Sequence, residues 1–154
     1  MTVNTAAGAK IFIGGTDELT TQADYEAESW TEVGEAENLG EFGDEAATIN
    51  FTALRDGRVR KFKGPRDAGT IDVVCGDDPN DTGQLAMVAA EQEIFDYNFR
   101  IDFNDAVTVG GAPSRFYFAG KVMSRRLNVG DVQNIVRRTF QVGINTSIIE
   151  VPAT

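Results

Sequence analysis

The chain contains no histidine and a single cysteine. Without histidine the commonest general base and metal ligand is missing, and Ser-His and Cys-His mechanisms are excluded. One cysteine cannot form an internal disulfide. Cys75 lies in TIDVVCG, an apolar strand pattern, and reads as buried filler, not as a nucleophile. No apolar run approaches the roughly 18–20 residues that a membrane helix needs, so no membrane anchor is expected. The opening MTVNTAAGAKIFIGG has neither a basic start nor a long apolar core and does not read as a secretory signal. Residues 17–45 contain no lysine or arginine at all. No paired-carboxylate motif stands out for acid–base chemistry. Together these absences lead away from an enzyme; no catalytic residue, cofactor or metal is expected.

What is present is acid. The 154 residues carry 24 acids against 14 bases, a net charge of −10. Such a field disfavours general affinity for DNA, RNA or anionic lipid, which needs clustered cations. The length suits one domain, 1–154, and a hydrophobic content of 42% is enough for a core. The charge is segregated along the chain. Residues 17–45 hold eleven acids, ending in Glu41, Asp44 and Glu45. Ten residues later RDGRVRKFKGPR concentrates six bases: Arg55, Arg58, Arg60, Lys61, Lys63 and Arg66.

Most of the chain alternates with period two, the mark of strands. AKIFI, ATINFTAL, VRKFK and TIDVVC each read as a strand, with Asp56-Gly57 turning the second into the third. In ATINFTAL, Ile49, Phe51 and Ala53 share one side, which predicts a half-buried strand. FDYNFRIDF gives the clearest pattern: Phe95, Tyr97, Phe99, Ile101 and Phe103 on one face, Asp96, Asn98, Arg100 and Asp102 on the other. Burying five such side chains is worth about 10 kcal/mol before entropy. RFYFAGKVM and NIVRRTFQVGI alternate again, and SIIEV adds an edge strand. Residues 16–45 read as mostly loop, with a short strand near Trp30–Val33. One helix is expected over about 81–93, capped by Asp81, with Gln84 in a capping-box relation and Leu85, Val88, Ala89 and Gln92 along one side. The core anchors are Trp30, Phe95, Phe99, Phe103, Phe118 and Phe140. The class is mainly β: an antiparallel β-sandwich or split barrel with one flanking helix.

Two short motifs fail on inspection. GDDPNDTG opens like a calcium loop, but the closing bidentate Glu falls on Ala89, so a capped helix start is the better reading. GPRDAGT lacks the Gly-Lys-Ser/Thr ending of a phosphate loop. Arg125-Arg126 and Arg137-Arg138 read as a solvated face with cross-strand ion pairs, or as partners for a neighbouring subunit's acids. The 55–66 block reads as an exposed hairpin, as a nucleic-acid site weakened by the lone Phe62 and the net charge, or as a self-association surface. The last reading is preferred. Opposite charges on different edges make a head-to-tail contact, which closes into rings or grows into filaments.

The order Trp30-Thr31-Glu32-Val33, Leu39-Gly40, Phe62-Lys63-Gly64, Asp67-Ala68-Gly69, Asp78 to Gly83 and Phe118-Ala119-Gly120-Lys121-Val122 resembles the tail tube proteins of long, non-contractile-tailed bacteriophages. That resemblance implies six-subunit rings stacked into a tube that conducts DNA without binding it specifically. It places other tail proteins at the tube ends, assembly in the host cytoplasm and residence in the virion tail. It also implies that a long loop, here about 40–69, bridges rings, so the interface residues would be the six bases with Glu41, Asp44 and Glu45. A bore that passes a polyanion should repel it, and polar-face acids Asp72, Asp96 and Asp102 are the candidates to line it. The alternatives are a ring-forming secretion-tube or tail-completion protein of the same fold, and a soluble β-sandwich binding module.

Overall fold

The period-two stretches become ten strands in a computed structural model that describes residues 3–154. In chain order they are β1 (Lys10–Ile13), β2 (Thr31–Val33), β3 (Ala36–Asn38), β4 (Glu45–Thr52), β5 (Val59–Asp67), β6 (Thr70–Gly76), β7 (Tyr97–Asp102), β8 (Arg115–Asn128), β9 (Arg137–Ile144) and β10 (Ile149–Val151). Helices α1 (Gln22–Glu26) and α2 (Thr82–Glu91) complete the set. All pairings are antiparallel. The mainly β class with a flanking helix is therefore the observed one.

The main sheet runs β2-β1-β7-β8-β9-β6-β3, with β10 added to β8. Its two end strands, β2 and β3, are consecutive in the chain and separated only by Gly34 and Glu35. The sheet must therefore curl until its ends meet. Glu35 takes a left-handed φ of 56° to make that turn. Inside the curl, Ile71, Val73, Cys75, Phe99, Phe118, Phe140 and Val142 are fully buried. Burial of Cys75 pushes its thiol up to about 11.

Helix α2 closes the seam. Asp81 caps it, its Oδ2 accepting from the Gln84 amide at 2.8 Å and from the Gly34 amide at 3.0 Å. The Gln84 side chain does not complete a capping box. It is buried, and its Nε2 donates to the carbonyls of Gly34 (3.0 Å) and Gly76 (2.8 Å). Its Oε1 accepts from the Asp78 amide at 3.2 Å. The helix is also rotated from the expected orientation: Gly83, Gln84, Met87 and Ala90 face inward and Leu85 is exposed. Gly83 sets this, because its backbone rests on the Glu32 carbonyl so closely that a Cβ would overlap it.

Segment 16–30, expected as loop, contains α1 with a complete capping box between Thr21 and Asp24. It lies over the second face of β7 and β8, where Tyr25 stacks on Tyr117 at 5.3 Å. Trp30 belongs to this outer cluster; its indole donates to the Tyr25 carbonyl at 3.1 Å. Hence both faces of β7 are covered, and Asn98 and Asp102 are buried as well as Phe99 and Ile101. The predicted five-residue apolar face is shorter than its pattern. The strand starts at Tyr97, so Phe95 precedes it and is 57% exposed; Phe103 follows it and is 36% exposed, resting on Phe116.

Candidate functional site

β4 and β5 pair only with each other, forming a two-stranded sheet apart from the main one. Direct partners share a face. Ile49↔Phe62 and Phe51↔Arg60 lie on one side; Thr48↔Lys63, Asn50↔Lys61 and Thr52↔Val59 lie on the other. Ile49, Phe51 and Phe62 are each more than half exposed. The expectation of a half-buried strand fails here for a simple reason: alternation supplied an apolar face, but no other element of the subunit covers it. At the tip, Leu54 is fully exposed.

The hairpin is also where the cations stand free. Residues 45–67 carry six bases and three acids. Asp56 accepts from the Arg58 amide at 3.0 Å and from the Arg60 guanidinium at 2.7 Å; both bonds hold its carboxyl below the usual range. Arg66 pairs with Asp44 at 2.8 Å at the hairpin base. Among the described residues Arg55, Arg58, Lys61 and Lys63 make no ion pair, nor do Glu41 and Glu45. In the body most bases are matched: Lys121 to Asp96 (2.6 Å), Arg125 to Glu91 (3.1 Å), Arg138 to Asp77 (3.2 Å) and Arg137 to Glu37. Arg125, Arg137 and Arg138 thus reach acids of other segments of the same subunit, and Arg126 makes no ion pair among the described residues.

The three acids proposed for a bore have different surroundings. Asp72 is exposed on the second face of β6, opposite Gln141 of β9, and nothing covers that face. Asp96 bonds Lys121 and Asn145, and the Lys121 ammonium lowers its pKa. Asp102 is the correction. It is 8% exposed, with Arg100 at 3.0 Å and Arg115 at 3.6 Å. Segment 16–30 closes over its face of the sheet, so it cannot front a channel. Arg100, whose guanidinium also lies 4.0 Å over the Phe12 ring, needs no outside partner. The uncovered face is mixed in sign, since Arg126 stands opposite Thr139 on the side that carries Asp72.

Among the described residues no group of three or more His, Cys, Asp or Glu is placed to hold a metal ion. In GDDPNDTG, Asp78 accepts from the Asn80 amide and Asp81 caps α2.

No family model matches the sequence, and no curated protein matches it. Solved structures do resemble its fold. A chain of the anti-feeding prophage baseplate superposes with a TM-score of 0.75 at 7% identity, covering 100% of this chain and 99% of that one. The sheath/tube terminator of an extracellular contractile injection system gives 0.70 at 14% identity, with 98% of each chain covered. The SPP1 tail tube gives 0.65 at 14% identity, covering 94% of this chain and 76% of that one. The chain has the tail-tube fold. Contractile injection systems share the tail-tube fold with the SPP1 tube, so the fold alone does not separate contractile from non-contractile assemblies.

On a tail-tube fold, the cationic block was legible in the sequence as a charge run. The exposure of its apolar side is not legible there, since alternation does not say what covers a face. Leu54 was the available signal: a large aliphatic residue beside an Asp-Gly turn, where polar residues are usual. Gln84 reads from the sequence only as a cap, because the fold alone brings the carbonyls of Gly34, in the β2–β3 turn, and Gly76, at the end of β6, to its side chain.

Proposed function

We propose that this chain is a structural, non-catalytic tube subunit that closes into rings of six, which stack into a hollow tube for DNA. The observation that carries this reading is the β4–β5 hairpin. It presents three large apolar side chains and four unpaired cations on a subunit whose other bases are mostly matched. A feature that no described part of its own chain covers is explained by a neighbour that does. The subunit's surplus of acids supports passage of DNA without retention, because an acidic wall repels phosphates over a Debye length of about 8 Å. Other tail proteins meet the tube at its ends, and the assembled tube resides in the virion tail after assembly in the host cytoplasm.

A second reading rests on the comparisons. The anti-feeding prophage baseplate and the injection-system terminator are matched over nearly their whole lengths, and both come from assemblies at tube ends. A ring-forming end subunit would share the fold without open-ended stacking. Negative-stain microscopy of purified protein separates the cases. Long hollow tubes support the first reading, single rings the second, and monodisperse monomers a soluble binding module. Salt adds a check on the charge argument. High ionic strength should slow polymerisation, and rates indifferent to salt would refute charge-guided stacking.

A further inference from the structure

We propose that the hairpin tip of one subunit seats in the groove between Leu19 and Ile94–Phe95 of a second copy of this chain. The inference rests on the tube reading above and specifies its contact. The groove has a volume of about 470 Å³. Its lining is mixed: Leu19, Ile94 (80% exposed) and Phe95 (57% exposed) supply the apolar part, Asp17 and Glu18 supply acids that make no ion pair among the described residues, and Lys121 is already matched to Asp96. The tip is its complement: Leu54, fully exposed, is followed by Arg55 and Arg58, which make no ion pair among the described residues. Leu54 covers Ile94 and Phe95 while the two arginines meet Asp17 and Glu18.

Geometry requires the partner to be another subunit. The groove lies beside the hairpin's own base, since Thr146 lines both it and the hollow at Asp44 and Arg66. The nine residues of β5 extend about 30 Å at 3.3 Å per residue. A tip that far from its base cannot return to it while the β4–β5 ladder is intact. The contact is therefore head-to-tail, each tip landing near the base of the next hairpin, which repeats without closing along a stack. It also gives Phe95 a role that its exposure in the single subunit leaves open.

The test mixes two single variants, Leu54→Cys and Ile94→Cys, under copper–phenanthroline, which accepts the two electrons released as the thiols join. Cys75 is buried and stays unreactive. The expected result is a 54–94 disulfide in the mixture and in neither variant alone, mapped by mass spectrometry of the assembled material. Leu54→Asp should leave the subunit's melting temperature unchanged and raise the concentration needed for assembly at least about tenfold. Tubes that form without a 54–94 link, or a Leu54→Asp protein that assembles normally, overturn this docking and leave the tube reading standing. Wild-type protein that forms neither rings nor tubes overturns both.

Discussion

Gln84 is the residue on which closure of the curled sheet turns, and its replacement by Leu isolates that role. Leu has similar bulk but loses both donors to the Gly34 and Gly76 carbonyls and the acceptor for the Asp78 amide. Each hydrogen bond contributes about 1 kcal/mol net, and each partner stranded away from water costs a further 1–3 kcal/mol. Gly34, Gly76 and Asp78 are partly accessible, so water recovers part of that penalty. The expected loss is about 2–4 kcal/mol, which moves a urea midpoint by about 1–2 M. Trp30, the only tryptophan, reports unfolding by its fluorescence in dissociated subunits. Gln84→Glu sharpens the test. Its carboxylate would face two carbonyl oxygens, so burial and repulsion raise its folded pKa. A group with a raised acid pKa destabilises above its unfolded value, so this variant should become more stable, relative to wild type, as pH falls from 7 to 4. A Gln84→Leu protein within about 0.5 kcal/mol of wild type would falsify the seam argument and leave closure to apolar packing alone.

Gly83→Ala should lower stability by about 1–3 kcal/mol or prevent folding, because a methyl there overlaps the Glu32 carbonyl; thermal melting measures it. Asp96→Asn should cost at most about 1 kcal/mol at pH 7, as expected for a half-exposed pair with Lys121. The folded pKa of Asp96 is lowered, so its contribution is present above the ordinary value of 3.8 and lost as pH falls through the folded value. The stability gap between wild type and variant should therefore narrow as pH falls below about 4, and a gap that stays constant in urea titrations would contradict the pairing. Arg60→Glu combined with Lys61→Glu should leave the subunit folded and block stacking; tubes of normal length in micrographs would show that the contact lies elsewhere. Cys75 should resist a thiol reagent in the native subunit and react on unfolding, followed by absorbance of the released chromophore.

Most of the strands, the capped helix start at Asp81 and the position of the cationic block are legible in the amino-acid sequence, while α1 and β3 are not. The legible features are local: period-two alternation, a carboxylate ahead of a helical run, and a count of charges. The tertiary structure alone decided what covers each face. Alternation shows that a strand has two sides but not what lies over them. Asp102 reads as a polar-face acid, yet it is buried beside Arg100 and Arg115, on a face that segment 16–30 covers at Asn98 and Tyr117. Ile49 and Phe51 read as inward-facing, yet each is more than half exposed and, among the described residues, no element beyond the hairpin covers them. Phe95 continues the alternation of the strand, yet the backbone joins the sheet only after it, at Tyr97. Burial depends on contacts between segments far apart in sequence, and closure of β2 onto β3 through Gln84 fixes which segments meet.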